Sequence, residues 1–473
     1  MLKKLISHTV IYGLAPYVIK LVSLFILPII TKDLTALDYG VAGLVSGYVG
    51  IFAVLGTLGL PIILSNSFIK HEKNYTLIWR HIYGFLSIWN VIYGFLISAI
   101  LFLLLNSVVS DENLLLVIFC SVGPIIFFGP TQSIGSLFYQ LNKKPIQVVW
   151  RSIFFGILAI LLNLYFISHL KMGYLGWFFS DFIVGVLFNV SYWWALNVKY
   201  KLNPIYRFRW KSILKYLKIS LPIIPHQYAN FFLRSSDRAV MGFLKVPSNQ
   251  IGLYSLSSNF GNYFYSITSA FSTAANPFIL NDLKRNNVFR VRSVIYLLQI
   301  IILFGTFIFS LWSKEILLIL IKNEELYSIY PLVIIIVMAF SYRPMYLASS
   351  SVLFFKEKTK ELLKVTFVAG FFNVSLNTIF IPIFGFEFAA YSTFACYMYV
   401  GYSGFFLKSF IMNKGAVSFY PLLWLFITLT LTTLACFAVE LSYVSKIIIS
   451  IIVLFISLFS IYLIKSKWGF DEK

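Results

Sequence analysis

The sequence predicts an all-α polytopic membrane protein with about fourteen transmembrane helices. Three observations lead to this fold class. Hydrophobic residues make up 59% of the 473 residues and charged residues only 12%, which is too little charge for the surface of a soluble protein of this length. About fourteen apolar stretches of about twenty residues follow one another along the chain. Most of the 38 Lys and Arg residues fall in alternate connections between these stretches.

The basic connections also predict the orientation of the chain. By the positive-inside rule, loops rich in Lys and Arg stay in the cytoplasm, and both termini belong to the basic set. We therefore expect both termini in the cytoplasm. The same loops account for the net charge of +21, so the basic character does not predict a nucleic-acid partner.

Each span is placed by its own apolar run. The predicted spans cover residues 8–30, 41–65, 83–106, 113–137, 146–168, 173–195, 219–242, 251–277, 292–312, 328–353, 363–383, 388–408, 419–438 and 444–464. Every non-cytoplasmic connection is too short to fold as a domain, so we expect the function to lie within the membrane. The cysteines lie in apolar spans without metal-ligand spacing, and no metal site is predicted.

Two halves of the chain resemble each other at an offset of 212–214 residues. The motif that ends at Gly40 matches the one that ends at Gly252, and Asn163 matches Asn377. Because the offset covers an even number of spans, the halves should have the same topology and form two pseudo-symmetric six-helix lobes, as in many transporters. The predicted division is an amino-terminal lobe (1–196), a basic cytoplasmic linker (197–218), a carboxy-terminal lobe (219–410), and two additional helices with a tail (411–473).

The linker is the longest cytoplasmic connection and contains no acid. Its basic residues are Lys199, Lys201, Arg207, Arg209, Lys211, Lys215 and Lys218. Ordinary positive-inside charge accounts for them. The alternative is an amphipathic segment that lies on anionic lipid headgroups.

Polar residues inside the predicted spans are the candidate site, because ionisable groups at membrane depth are costly. The clearest set shares one face of span 219–242. Its members are His226, Asn230, Arg234, Asp237 and Arg238. Span 251–277 carries a second polar face, which includes Asn262 and Tyr265. We expect these faces to line a water-filled path, and the alternative is hydrogen bonding between neighbouring helices.

The charges at membrane depth predict an anionic substrate. Lys20 and Arg343 add to the basic groups, whereas the acids are Asp181 and Asp237. Unpaired positive charges in hydrocarbon are costly, and a negatively charged ligand would compensate them. Arginine suits phosphate because its planar group donates two hydrogen bonds at once. Each acid either neutralises a nearby arginine, which we prefer, or binds a coupling proton or cation.

Several short motifs carry a family resemblance. They are Leu27-Pro28-Ile29-Ile30, Asp38-Tyr39-Gly40, Leu58-Gly59-Leu60, Ser236-Asp237-Arg238 and Ile251-Gly252-Leu253-Tyr254-Ser255. In order and spacing they resemble the polysaccharide-exporter branch of the multidrug/oligosaccharidyl-lipid/polysaccharide flippase superfamily, especially the O-antigen flippases. The resemblance covers about residues 8–410, and the span count agrees along the whole chain.

The resemblance implies a flippase of the bacterial inner membrane with a MATE-like fold. Such a protein moves a polyprenyl-diphosphate-linked oligosaccharide, as in lipopolysaccharide O-antigen synthesis, through a cationic central cavity by alternating access. The resemblance implies a protein without a cofactor, whose transport is coupled to a proton or sodium gradient. It also implies a monomer surrounded by membrane lipids, with a polysaccharide polymerase and a chain-length protein as partners. Only Asp237 and Arg238 match a family motif. Lys20, Arg234 and Arg343 rest on the charge argument.

Three other functions differ from this one in the residues they require. A cation-coupled multidrug exporter should carry acids at depth to bind cationic drugs, whereas here basic groups predominate. A peptidoglycan-precursor flippase has a substrate of the same charge and stays open. An enzyme is disfavoured because the chain lacks a long outer loop, a glycine-rich phosphate loop, a metal-ligand set and a nucleophile elbow.

Overall fold

The computed structural model describes residues 22–70, 74–413 and 419–468, and within these ranges every regular element is a helix. The helices are α1 (22–30), α2 (Ala36–Ala53), α3 (Pro61–Lys70), α4 (Tyr75–Leu105), α5 (Asp111–Phe128), α6 (Thr131–Leu141), α7 (Pro145–Asn163), α8 (Tyr174–Trp194), α9 (Trp210–Ser220), α10 (Ile224–Arg234), α11 (Ser236–Phe243), α12 (Ser248–Lys284), α13 (Val288–Leu311), α14 (Ser313–Leu320), α15 (Glu324–Tyr327), α16 (Tyr330–Ala339), α17 (Arg343–Phe355), α18 (Thr359–Phe384), α19 (Phe388–Ser403), α20 (Lys408–Asn413), α21 (Pro421–Ala438) and α22 (Tyr443–Trp468).

Ten segments of the described chain are long and apolar enough to cross a membrane. They confirm the all-helical polytopic class, whereas the count of fourteen stays a prediction. Some predicted spans are too short to count alone: α19 has 16 residues, and α10 and α11 have 11 and 8. Most of the first predicted span lies outside the described residues, and so does Lys20.

Span 219–242 is not one continuous helix. A 3₁₀ turn at Leu221–Ile223 separates α9 from α10, and Ser235 separates α10 from α11. Pro222 lies in the 3₁₀ turn and Pro225 in the first turn of α10, where missing amide donors are tolerated. The predicted single stripe of polar residues is therefore divided between two helices that turn at Ser235.

The linker is a packed segment rather than a loose loop. Residues 201–209 run without helix along the start of α4, where the Ile205 amide donates to the Arg80 carbonyl at 2.9 Å. The Arg80 guanidinium donates in return to the Asn203 carbonyl at 2.9 Å. Gly84 is required at this crossing, because a Cβ there would lie 2.1 Å from the Ile205 oxygen. The linker then continues directly into α9.

The described residues form two compact units. The first unit comprises 29–231 and 247–252. Its core contains aromatic and aliphatic side chains from α3, α4, α6 and α8, among them Trp79, Tyr139 and Tyr192. The second unit comprises the described residues among 1–28, 232–246 and 253–473. Its core includes Phe307 of α13 and Ala435 of α21.

The matched glycines of the two repeats approach each other within the first unit. A Cβ on Gly40 of α2 would lie 1.9 Å from the Ser248 oxygen, and a Cβ on Gly252 of α12 would lie 1.7 Å from the Ala36 oxygen. No side chain fits at such distances. Asp38 fixes the start of α2, since its carboxylate accepts the amide of Thr35 at 2.8 Å.

The last two helices are fixed to the second unit by polar contacts. The Lys446 ammonium of α22 lies 2.6 Å from the Glu315 carboxylate of α14. Glu440, between α21 and α22, accepts hydrogen bonds from Lys314 and from the Tyr330 hydroxyl. These helices lie outside the predicted repeat, and their ends are nevertheless anchored to it.

Candidate anion and cation sites

Four helices of the second unit bring polar side chains together around Asp237. Asp237 lies in the first turn of α11, Tyr254 near the start of α12, and Thr393 in the second turn of α19. Asn373 and Asn377 lie one turn apart on α18 and therefore on one face. Asp237 is 4% exposed and both asparagines 0%. We call these residues, with Ser392, the Asp237 cluster.

The Asp237 carboxylate accepts four hydrogen bonds, all from neutral groups. One oxygen accepts from the side-chain amides of Asn373 at 2.8 Å and Asn377 at 2.7 Å. The other accepts from the hydroxyls of Tyr254 at 2.5 Å and Thr393 at 3.3 Å. Amide and hydroxyl groups therefore contact both carboxyl oxygens of Asp237.

The oxygens of the two amides point away from Asp237 and converge on Ser392. The Ser392 hydroxyl lies 3.1 Å from the Asn373 oxygen, 3.1 Å from the Ala389 carbonyl, and within hydrogen-bond distance of the Asn377 oxygen. A hydroxyl supplies one proton for these three acceptors. The cluster therefore holds surplus oxygen atoms beside a buried carboxyl group.

The break at Ser235 helps to build this cluster. Beside the break, the Phe232 carbonyl near the end of α10 accepts from the Ser236 hydroxyl at 2.5 Å and from the Asn373 side-chain amide at 3.2 Å. Asn373 thus links the end of α10 to Asp237.

Asp237 does not form the arginine ion pair that the sequence analysis preferred. Arg238 donates instead to the Ser258 hydroxyl of α12. Among the described residues, no carboxylate lies within 4.0 Å of Arg234, Arg238 or Arg343. The direct contacts of the buried acid are made by neutral donors.

Arg234 and Arg343 meet at one aromatic ring. The Arg234 guanidinium carbon lies 3.8 Å from the centroid of the Tyr265 ring, and that of Arg343 lies 4.5 Å from it. The three residues lie near the end of α10, at the start of α17 and in the middle of α12. Arg234 is exposed, whereas Tyr265 and Arg343 are half-buried. We call them the arginine pair and its ring.

The other predicted site residues are not joined to these two groups by any described contact. His226 and Asn230 belong to the first unit, where the Asn230 amide donates to the His226 carbonyl of its own helix at 3.2 Å. Asp181 of α8 is exposed and has neither a hydrogen bond nor an ion pair among the described residues. Asn262 is half-buried on α12.

The site prediction omitted the partners of the charged residues. Asn373, Asn377, Ser392 and Thr393 carried a readable signal, because each is a polar residue inside a predicted apolar span. Asn377 served only as a repeat landmark, and Tyr265 only as part of a polar face. No spacing within one helix could show that these residues converge on Asp237 or on two arginines.

The comparison with protein families gives one match over more than half of the chain. A family model described as polysaccharide biosynthesis protein matches residues 5–281. The chain matches no curated protein sequence.

Solved structures share the fold over most of the chain. An inward-facing multidrug resistance MATE family transporter of the MOP superfamily has a TM-score of 0.62 at 15% identity, over 86% of this chain and 95% of its own. An outward-facing one has a TM-score of 0.52 at 16% identity, over 87% and 95%. A MOP superfamily transporter from Pyrococcus furiosus, described by a binding pocket of reverse polarity, has a TM-score of 0.54 at 15% identity, over 87% and 95%. At these identities, the likeness shows a shared fold.

Proposed function

This chain belongs to the polysaccharide biosynthesis protein family, and on that premise we propose that it flips a polyprenyl-diphosphate-linked oligosaccharide across the bacterial inner membrane. The observation that carries the proposal is the arginine pair on Tyr265, which has no carboxylate partner among the described residues. Two positive groups close together in an apolar protein favour a ligand with more than one negative charge. A diphosphate has that charge.

The chemistry of the pair fits phosphate better than it fits a cationic drug. Each guanidinium can donate two parallel hydrogen bonds to phosphate oxygens. The Tyr265 ring attracts both cations through its face, and this holds like charges together before an anion arrives. A polyprenyl tail needs no polar contact and can remain among the lipid chains. The same geometry disfavours the multidrug-exporter alternative, because arginines repel cationic drugs.

The binding test uses undecaprenyl diphosphate as the probe. The purified full-length protein, Arg234→Ala and Arg343→Ala are compared by equilibrium binding in detergent. Loss of a charge-assisted hydrogen bond costs about 1.5–3 kcal/mol, so each variant should bind about 10- to 100-fold more weakly. Uncharged undecaprenol should bind all three proteins equally.

A matched control is Arg285→Ala, which removes an exposed arginine at the end of α12. It should bind the diphosphate like the parent protein. Unchanged affinity in both Arg234→Ala and Arg343→Ala would overturn the anion assignment. Binding could fall as expected while the reconstituted protein moves only lipid-linked sugars that carry a peptide. In that case the substrate is a peptidoglycan precursor and not an oligosaccharide repeat unit.

The Asp237 cluster supports a second part of the function, coupling to a proton or sodium gradient. Its carboxylate, amide oxygens and hydroxyls are the oxygen ligands that hard cations prefer. If the side-chain amide of Asn373 or Asn377 rotated by 180°, its oxygen would face Asp237 in place of its N–H donors. The cluster would then offer a cation several ligands around one negative charge.

The coupling test measures transport in proteoliposomes with and without an imposed proton or sodium gradient. Asp237→Asn keeps the shape of the side chain and removes its charge. We expect transport by this variant to lose its dependence on the gradient. Its affinity for undecaprenyl diphosphate should stay within about twofold of the parent's, which is a smaller change than the loss of one hydrogen bond to the ligand would cause. Transport by the parent protein that ignores both gradients would remove the coupling proposal and leave the anion site standing.

A further inference from the structure

The linker and α9 present an exposed basic surface on the first unit. We call residues 201–218 the basic strap. Its cationic side chains are all exposed: Lys201, Arg207, Arg209, Lys211, Lys215 and Lys218. The strap contains no acid, and none of these residues forms an ion pair with any described carboxylate. Six positive charges therefore lie on one short stretch without protein counter-charge.

The strap is held in place by the core beneath it. Leu202 and Ile213 are buried in the core of the first unit. The ring of Phe208 meets the ring of Phe85 edge-on, with centroids 5.7 Å apart. Together with the backbone hydrogen bond at Ile205, these contacts fix the path of the segment. Its charges are presented from a rigid scaffold rather than from a mobile loop.

The helix α9 has three faces with three different properties. Ile213 is buried, and seven residues later Ser220 is buried on the same face. Trp210 and Leu214, one turn apart, are 63% and 53% exposed. The adjoining face carries lysines at three- and four-residue spacing, which are Lys211, Lys215 and Lys218. Exposed apolar residues beside a lysine stripe are typical of a helix that lies at a membrane interface.

We propose that the basic strap is a binding surface for anionic phospholipid headgroups, with Trp210 and Leu214 entering the interfacial layer beside them. Charge complementarity selects this occupant, because the lysines match the phosphate layer of a leaflet rich in phosphatidylglycerol. Tryptophan favours the interface because its ring is apolar and its N–H is polar. Anionic lipids then bind the first unit as specific ligands, in addition to surrounding the membrane-spanning helices.

The first experiment compares lipid stabilisation of two matched variants. The full-length protein in detergent is heated with short-chain phosphatidylglycerol or phosphatidylcholine. The strap variant combines Lys211→Gln, Lys215→Gln and Lys218→Gln. The control combines Lys356→Gln, Lys358→Gln and Lys360→Gln. It removes the same charge from exposed lysines that lie between α17 and α18 or in the first turn of α18.

We expect phosphatidylglycerol to raise the unfolding midpoint of the parent and the control by several degrees more than phosphatidylcholine does, and added salt to reduce this difference. The strap variant should lose at least half of the difference. Equal loss in the control would show a general charge effect and overturn the proposal. Full retention in the strap variant would also overturn it.

A second measurement does not depend on the stability of a triple variant. The protein is placed in nanodiscs that contain phosphatidylglycerol with brominated chains, which quench nearby tryptophans. With brominated phosphatidylglycerol, the parent protein should lose more fluorescence than Trp210→Phe loses. The difference between the two proteins should be smaller when the brominated lipid is phosphatidylcholine. Equal quenching of the two proteins by phosphatidylglycerol would place Trp210 outside the lipid interface and contradict the proposal.

Discussion

The Asp237 cluster and the arginine pair surround their ionisable groups with different kinds of contact. Both lie in the second unit, and the break at Ser235 separates Arg234 from Asp237 along the chain. Asp237 has four donors from the protein. Arg234 and Arg343 have an aromatic ring and no carboxylate within 4.0 Å among the described residues.

This difference in protein contacts indicates which charged group is available to an external ligand. A charge that the protein fully satisfies contributes to the packing of its helices, and removing it leaves buried partners without bonds. An arginine that has no carboxylate partner keeps its positive charge available to an anionic ligand. Variants of the cluster should therefore change unfolding most, whereas variants of the pair should change binding most.

The largest effect is expected for Asp237→Ala. The change leaves the donors of Asn373, Asn377 and Tyr254 buried without an acceptor, and each such group costs about 1–3 kcal/mol. The unfolding midpoint in detergent should fall by many degrees. Asp181→Ala is the matched control, because Asp181 has no polar partner among the described residues. Similar unfolding midpoints for the two variants would show that the hydrogen bonds to Asp237 do not stabilise the fold more than the environment of Asp181 does.

The next effect compares the matched asparagines of the two repeats. Asn377→Ala removes a hydrogen bond to a charged group, which costs about 1.5–3 kcal/mol. Asn163→Ala should cost less, because the buried Asn163 side-chain oxygen has no hydrogen-bond partner in the part of the chain that the structure describes. The unfolding midpoints of the two variants, measured side by side, test this. A larger loss for Asn163→Ala would show that the first unit contains an equivalent cluster.

A smaller effect is expected at the ring of the arginine pair. Tyr265→Leu removes two cation–π contacts of about 0.5–2 kcal/mol each, and binding of undecaprenyl diphosphate should weaken. Tyr265→Phe keeps the ring and should restore most of the affinity. If Phe and Leu bind alike, the hydroxyl rather than the ring positions the arginines.

The smallest effect is expected at the exposed Lys314–Glu440 contact. The hydrogen bond from Lys314 holds the pKa of Glu440 below its ordinary value. A lowered pKa means that Glu440 stabilises the fold at neutral pH and that this contribution is lost as the pH falls through the lowered value. Unfolding midpoints of the parent and Glu440→Gln should therefore differ slightly at pH 7 and converge in acid. A gap that widens in acid would contradict this sign.

The sequence predicts the fold well because apolar length and basic loops are local properties. The runs that gave α4, α5, α13 and α22 needed no tertiary information. The break at Ser235 was missed because serine is tolerated within helices. Beside the break, Ser236 and Asn373 donate side-chain hydrogen bonds to the Phe232 carbonyl, and a contact from another helix cannot be read from local sequence.

The charged residues of the second-unit sites could be predicted, but their partners could not. Arg234, Asp237 and Arg343 stand out because charge at membrane depth is rare. Sequence favoured an Asp–Arg ion pair, since opposite charges attract. The structure instead surrounds Asp237 with amides and hydroxyls from α12, α18 and α19, and only the packing of these helices determines that choice.

The contact between Gly40 and Gly252 constrains how the two repeats can change over time. Each glycine leaves room only for the backbone of the other repeat, so gaining even a methyl group in one copy would require the main chain of its counterpart to move. A substitution at either glycine would therefore act on the backbone of the opposite helix before it acted on any side chain.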